Sequence, residues 1–215
     1  MVSIYEQTYD FFSKNSNKKT LGHSESLKTL LTCQINQTQS IKLGNAVERI
    51  LMSHIQSSGI WKDVRIKPKT NEKERDHLFQ NQKGEKVYVE VKSNIQLDSE
   101  KKKETKRKVL YIANQENTKP RILALRYFDE PEMKVSRHIN YYKNAGIDVI
   151  SISCYFNDVL NIKCPFDNAD EYVNWLNYVA SYLLCEDIDT DDETKKKLLK
   201  LIHLGNSINR LKNTI

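Results

Sequence analysis

"ERDHLFQNQKGEKVYVEVK", residues 74–92, is the stretch on which the reading of the chain turns. Its second half alternates. Val87, Val89 and Val91 fall on one side of an extended chain, with Tyr88, Glu90 and Lys92 on the other, so KVYVEVK is predicted as a half-buried strand. ERDHLFQ reads as a second strand. NQKGE between them has turn chemistry, with Gly84 able to take a positive φ. Folding the segment symmetrically about Lys83 sets Phe79 against Val87 on the apolar side and Asp76 opposite Glu90. A slip of one residue would invert the faces, while a bulge at Gly84 is the other way the register could move.

Working outward, IKLGNAVERILMSHIQ (41–56) spaces Leu43, Ala46, Val47, Ile50, Leu51 and Ile55 as one helical stripe and stops at SSG. WKDVRIK (61–67) alternates Val64 and Ile66 with charges and ends before Pro68, as a strand does. Downstream of the hairpin, Asp98 is placed to cap a helix over 99–113. RILALRYF (121–128) is a continuous apolar run of buried-strand length. A shorter helix at 134–145, a strand IDVISIS (147–153) and helices at 168–185 and 192–212 complete the order, with Trp175, Leu176, Val179 and Leu183 on the inward stripe of the first closing helix. The fold class expected is α/β, a mixed central sheet flanked by helices with a C-terminal helical tail. The chain reads as a single domain over 1–215, with a core at 41–153 and with 1–40 and 165–215 as elaborations.

With 34 Lys and Arg against 28 Asp and Glu, the net charge of +6 leans toward an anionic partner such as nucleic acid. The abundance of Lys, Asn and Ile weakens that lean. Cys33, Cys154, Cys164 and Cys185 have no CxxC spacing and the five histidines complete no zinc pattern, so reduced, mostly buried thiols are expected and zinc is not. MVSIYEQTYD lacks the layout of a signal peptide, and no apolar run has the length of a membrane span. A soluble, cytoplasmic protein is expected.

The hairpin carries the chemistry. Two carboxylates side by side at a strand end repel and lose solvation unless a cation lies between them. Mg²⁺ suits such a pair, since it prefers oxygen ligands and is commonly held by one or two carboxylates plus substrate phosphate. Asp76 and Glu90 would supply the oxygens, and Lys92, one pleat further on the same face, can orient a water or steady a phosphate.

Asp76, thirteen intervening residues, then Glu90-Val91-Lys92 resembles the PD-(D/E)XK nucleases, and the helix–three strands–helix–strand order over 41–128 is similar to their common core, a restriction-endonuclease-like arrangement. The resemblance implies a Mg²⁺-dependent nuclease in which Asp76, Glu90 and the backbone carbonyl of Val91 bind metal and Lys92 helps activate water. It also implies that Glu48, in GNAVERIL, is an accessory acid on the preceding helix. A compact chain without an ATPase or helicase module most resembles a type II restriction endonuclease, a homodimer cutting double-stranded DNA at two-fold symmetric sites.

Rival readings stand beside this one. Asp63 and Glu74 are competing acids, and Glu74 shares the parity of Asp76. Arg75 stands where many relatives of that family have proline. His77 reads as a packed or hydrogen-bonded histidine. Lys101, Lys102, Lys103, Lys106, Arg107 and Lys108 form a solvated helix face on the ordinary reading, some of them within reach of phosphates on the functional one. NSNKKT, INQTQS and ANQENTKPR offer too many base-reading side chains to choose among. A repair, recombination or junction nuclease of the same fold, or a non-catalytic basic nucleic-acid-binding module, are the alternatives.

Overall fold

A computed structural model describes residues 3–15, 37–66, 73–93, 95, 97–129 and 137–186, without the side chains of 12–15, 37–41 and 181–186. The expected helix at 192–212 lies outside the described residues. In order, the elements are α1 (Ile4–Asn15), α2 (Gln37–Ser57), β1 (Trp61–Asp63), β2 (His77–Asn81), β3 (Lys86–Lys92), α3 (Ser99–Gln115), β4 (Arg121–Ala124), α4 (Arg137–Lys143) and β5 (Asp148–Ile150). They are followed by a one-turn helix α5 (Ile152–Cys154), a π-helical turn (Tyr155–Val159) and α6 (Ala169–Glu186). The chain divides into two compact units, one over Leu51–Ala169 and the other made of the described residues up to Ile50 and from Asp170 on.

The first unit holds a five-stranded mixed sheet in the order β1-β2-β3-β4-β5, flanked by helices. β1, β2 and β3 run antiparallel, and β4 and β5 join parallel to β3. The hairpin has the register its residues predict, with Phe79 opposite Val87, Leu78 opposite Tyr88 and His77 opposite Val89. Gly84 sits at a φ of 82°, and Asn81 organises the turn by accepting from the Lys83 and Glu85 backbone N–H groups through its side-chain oxygen. The same pairing, carried one residue back, faces Asp76 toward Glu90.

β3 departs from the half-buried strand expected of it. It is the middle strand, and both faces are covered: Tyr88 and Glu90 are buried as fully as Val87, Val89 and Val91. On the Tyr88 face, Leu78, Tyr88, Ile122 and Ala124 share a core with Val109, Ile112 and Ala113 of α3 and Ile139 and Tyr142 of α4. On the Val89 side, His77 bonds Tyr155 through Nδ1 at 2.8 Å, and its ring meets Phe79 edge-on. The expectation of a hydrogen-bonded histidine therefore holds. Trp61, at the sheet edge, donates from Nε1 to the Leu160 carbonyl at 2.8 Å.

β2 begins at His77, leaving Glu74, Arg75 and Asp76 of the expected strand outside it, and three further strands stop short of the sequence reading, each for a local reason. β1 stops at Asp63, whose carboxylate is held by Arg65 two residues on, and Ile66 projects into solvent. β4 ends at Ala124 because β3 ends at Lys92; one last bond, Leu125 N–H to the Lys92 carbonyl, closes the pairing before the chain turns. β5 ends at Ile150 because Ser151 accepts from the Cys154 N–H and starts α5, so Ser151, Ile152 and Ser153 leave the sheet.

α3 begins where expected, with Asp98 accepting from the Lys101 N–H at 2.9 Å. Its far end is tied to the hairpin. Glu116, the C-cap residue, is an acid at the negative end of a helix dipole, an unfavourable place unless paired. Arg75 donates to it at 2.9 Å from the approach to β2, and Lys86 at 3.0 Å from the start of β3. Burial works to raise the Glu116 carboxyl, and the bonds from Lys86 and Arg75 outweigh it, holding the group below its ordinary value. Arg75 thus locks the segment preceding Asp76 onto α3.

The second unit brings α1 and α6 together. Ser3 and Glu6 form a capping box at the start of α1, each side chain accepting from the other's backbone N–H at 3.2 and 3.0 Å. Thr8 donates to the Ile4 carbonyl and accepts from Trp175 Nε1 at 2.9 Å in a buried bond, and Tyr5 packs on Tyr178. Trp175 and Val179 are fully buried, as the inward stripe requires; Leu176 is half-buried, and the Leu183 side chain lies outside the described residues. Among the described residues, no helix is long and apolar enough to cross a membrane.

Candidate active site

The two acids of the hairpin meet at the C-terminal end of β3. Glu90 is fixed by the strand, with its carboxylate on the α3 side of the sheet and only 1% exposed. Asp76 stands one residue before β2, where its carbonyl accepts from Arg65 Nη1 at 2.8 Å and its carboxylate oxygen Oδ2 accepts from the Val91 N–H at 2.9 Å. Because the N–H and C=O of one strand residue point to the same edge, the Val91 carbonyl is directed toward the edge on which Asp76 stands.

Four charged groups converge there. Lys92 donates to Glu90 Oε1 at 2.7 Å and lies 3.9 Å from Asp76 Oδ2. Lys108, from α3, spans the pair: its Nζ is 3.0 Å from Asp76 Oδ1, 2.8 Å from Glu90 Oε1 and 2.7 Å from Glu90 Oε2. Tyr88 completes the shell of Glu90, donating its hydroxyl to Oε2 at 2.9 Å from inside the core. Two carboxylates and two ammonium groups balance, which is what lets a charge sit on the buried middle strand.

The electrostatics follow from that packing. Burial raises the Tyr88 hydroxyl far above its ordinary value, and the neighbouring Glu90 charge raises it further, so Tyr88 stays a neutral donor. For Lys108, burial works to lower the ammonium and the charges of Glu90 and Asp76 more than offset it, leaving it raised and firmly protonated. Solvent reaches the cluster along the Asp76, Lys92 and Lys108 side chains, which keep 15%, 27% and 18% of their surface. Glu90 forms the floor.

Of the predicted site residues, Asp76, Glu90, Val91 and Lys92 are brought together. Glu48 is half-buried on α2 and belongs to the second unit. The rival acids are placed elsewhere: Asp63 is engaged by Arg65 through both oxygens, and Glu74 is exposed. Lys108 is the residue that sequence reasoning did not single out. Its signal was its phase, three residues after Thr105 and four before Ile112, both buried, which sets it on the inward side of α3. Lys101, Lys103 and Arg107 are exposed, and Lys106 lies over the Tyr141 ring at 5.5 Å. Neither Cys154, half-buried, nor Cys164, buried, is in a disulfide; Cys33 and the Cys185 side chain lie outside the described residues.

Comparison with family models, with curated proteins and with solved structures finds no match.

Proposed function

We propose that this chain is a Mg²⁺-dependent nuclease of the PD-(D/E)XK type that cleaves double-stranded DNA as a type II restriction endonuclease does, acting as a homodimer. The observation that carries the reading is the convergence of Asp76 and Glu90 on a single cation position, with Lys92 beside it. The element order α2-β1-β2-β3-α3-β4, with a hairpin followed by a parallel crossover, is compatible with the restriction-endonuclease-like core.

The donor set fits magnesium. Two carboxylates reach within hydrogen-bond distance of one point, the Val91 carbonyl is directed to the same edge, and all are hard oxygen donors. Waters and a substrate phosphate would complete the shell. When bound, the ion supplies Lewis-acid stabilisation of the developing charge on phosphorus oxygens. The residues do the rest. Asp76 and Glu90 fix the position, the Val91 N–H and Tyr88 hydroxyl hold the carboxylates in orientation, and Lys92 keeps an ammonium at the edge of the pair to align the attacking water or the scissile phosphate. The exposed cations Lys101, Lys103 and Arg107 of α3 supply non-specific phosphate attraction.

The test is cleavage of DNA of mixed sequence by the purified chain with Mg²⁺, followed by sequencing of the product ends. Restriction-type activity gives discrete fragments with a shared motif at every end, lost on chelation. Cuts that follow branches or ends without a shared motif assign the same chemistry to repair, recombination or junction processing. Binding with no cleavage of any unmodified DNA leaves a basic binding module in place of the enzyme.

A further inference from the structure

Two like charges brought to one point in a partly dry site require a counter-cation. In this structure that place is held from within the chain. Lys92 is hydrogen-bonded to Glu90 at 2.7 Å and only loosely paired with Asp76 at 3.9 Å, whereas Lys108 Nζ lies within 3.0 Å of both carboxylates and touches both oxygens of Glu90. A magnesium ion takes its oxygen ligands at about 2.0–2.1 Å, so it and an ammonium group cannot occupy the same point between these oxygens.

We propose that Lys108 is a displaceable counter-ion, its ammonium competing with the divalent cation for the Asp76 and Glu90 carboxylates and so setting the metal affinity of the site. The inference rests on the reading of that pair as a metal site. Its anatomy suits displacement. The backbone of α3 is fixed by Thr105, Val109, Ile112 and Ala113, all buried, while Lys108 itself is partly exposed on a flexible four-carbon stem. The ammonium can swing toward solvent while the helix stays where it is. Once withdrawn it stands at the mouth of the site, where a DNA phosphate provides the partner that the carboxylates no longer do. Metal and DNA would then bind with positive coupling, each making the withdrawn position more favourable.

The experiment is calorimetric titration of the full chain with Mg²⁺, without DNA, comparing wild type with Lys108→Met, Lys108→Gln, Lys108→Arg and Glu90→Gln. Removing a unit positive charge from beside a bound dication should tighten Mg²⁺ binding at least about tenfold in the Met and Gln variants. Lys108→Arg, which keeps the charge, should stay near wild type, and Glu90→Gln should bind weakly or not at all. Thermal unfolding gives an independent readout, because added Mg²⁺ should raise the Tm of Lys108→Met more than that of wild type. If Lys108→Met does not fold, Lys108→Gln, which retains a donor toward the acids, carries the same comparison. Equal affinity in wild type and both neutral variants, with Glu90→Gln defective, overturns the inference and leaves the metal site standing. Absence of binding in every variant at millimolar Mg²⁺ removes the site and the inference together.

Discussion

Replacing Asp76 by Asn should lower Mg²⁺-dependent DNA cleavage at least about a thousandfold while leaving the protein folded. The carboxylate has two jobs in the structure. Oδ2 accepts from the Val91 N–H, a bond an amide oxygen can keep, and Oδ1 faces Lys108, where an amide nitrogen presents a donor to a donor. Charge and one ligand oxygen are lost from the proposed cation position. The cost in stability should stay near 1 kcal/mol, because the group is partly solvated and the lysine can turn to water. Single-turnover cleavage of plasmid DNA, with circular dichroism melting as the fold control, checks both halves. Asp63→Asn is the comparison variant: its carboxylate is engaged by Arg65, and it should keep the wild-type rate. A wild-type rate in Asp76→Asn would take Asp76 out of the site.

Glu90→Ala has the larger effect on folding. Glu90 is on the middle strand, 1% exposed, and its two oxygens receive Tyr88, Lys92 and Lys108. Truncation leaves the Tyr88 hydroxyl inside the core without its acceptor and two ammonium groups facing each other beside a cavity. Removing one partner of a buried ionic cluster costs about 3–5 kcal/mol, which for a chain of this size lowers the Tm by on the order of 10 °C. Glu90→Gln keeps the volume and an acceptor and should fall between the two. Thermal and urea unfolding measure the difference. A Glu90→Ala protein melting within a degree or two of wild type would mean that the carboxylate is not the floor of the cluster.

The hairpin was legible because two independent signals agree in it. Parity sorts the valines from Tyr88, Glu90 and Lys92, and the Asn81 to Gly84 turn sets the register that parity needs, so Asp76 and Glu90 could be placed together from residues alone. The sheet edges were less legible, since apolar alternation says nothing of where a neighbouring strand stops. RILALRYF continues past Ala124, but its partner ends at Lys92. In IDVISIS the alternation hides a capping serine, and SIYE holds the capping box of α1, a helix absent from the sequence reading. Lys108 is the instructive omission. Six cations between 101 and 108 look alike by composition, and only the phase of α3 against Thr105, Val109 and Ile112, together with its packing on β3, separates the one that reaches the acids from those that meet solvent.

Arg75 stands where the resembled pattern has proline, yet it still bears on the proposed site. Where a proline would stiffen the backbone before Asp76, the guanidinium instead bonds Glu116 at the end of α3. The segment carrying Asp76 and the helix carrying Lys108 are thereby held to each other by an ion pair at one end and by the four-charge cluster at the other.

Whether Asp76 and Glu90 share a divalent cation is open to direct observation. Diffraction from crystals equilibrated with Mn²⁺, recorded where manganese scatters anomalously, tests it without recourse to activity. An anomalous peak is expected between the Asp76 and Glu90 carboxylates, with Lys108 turned away from them. A peak bound elsewhere, or none at all with Lys108 still bridging the two acids at saturating metal, would contradict it.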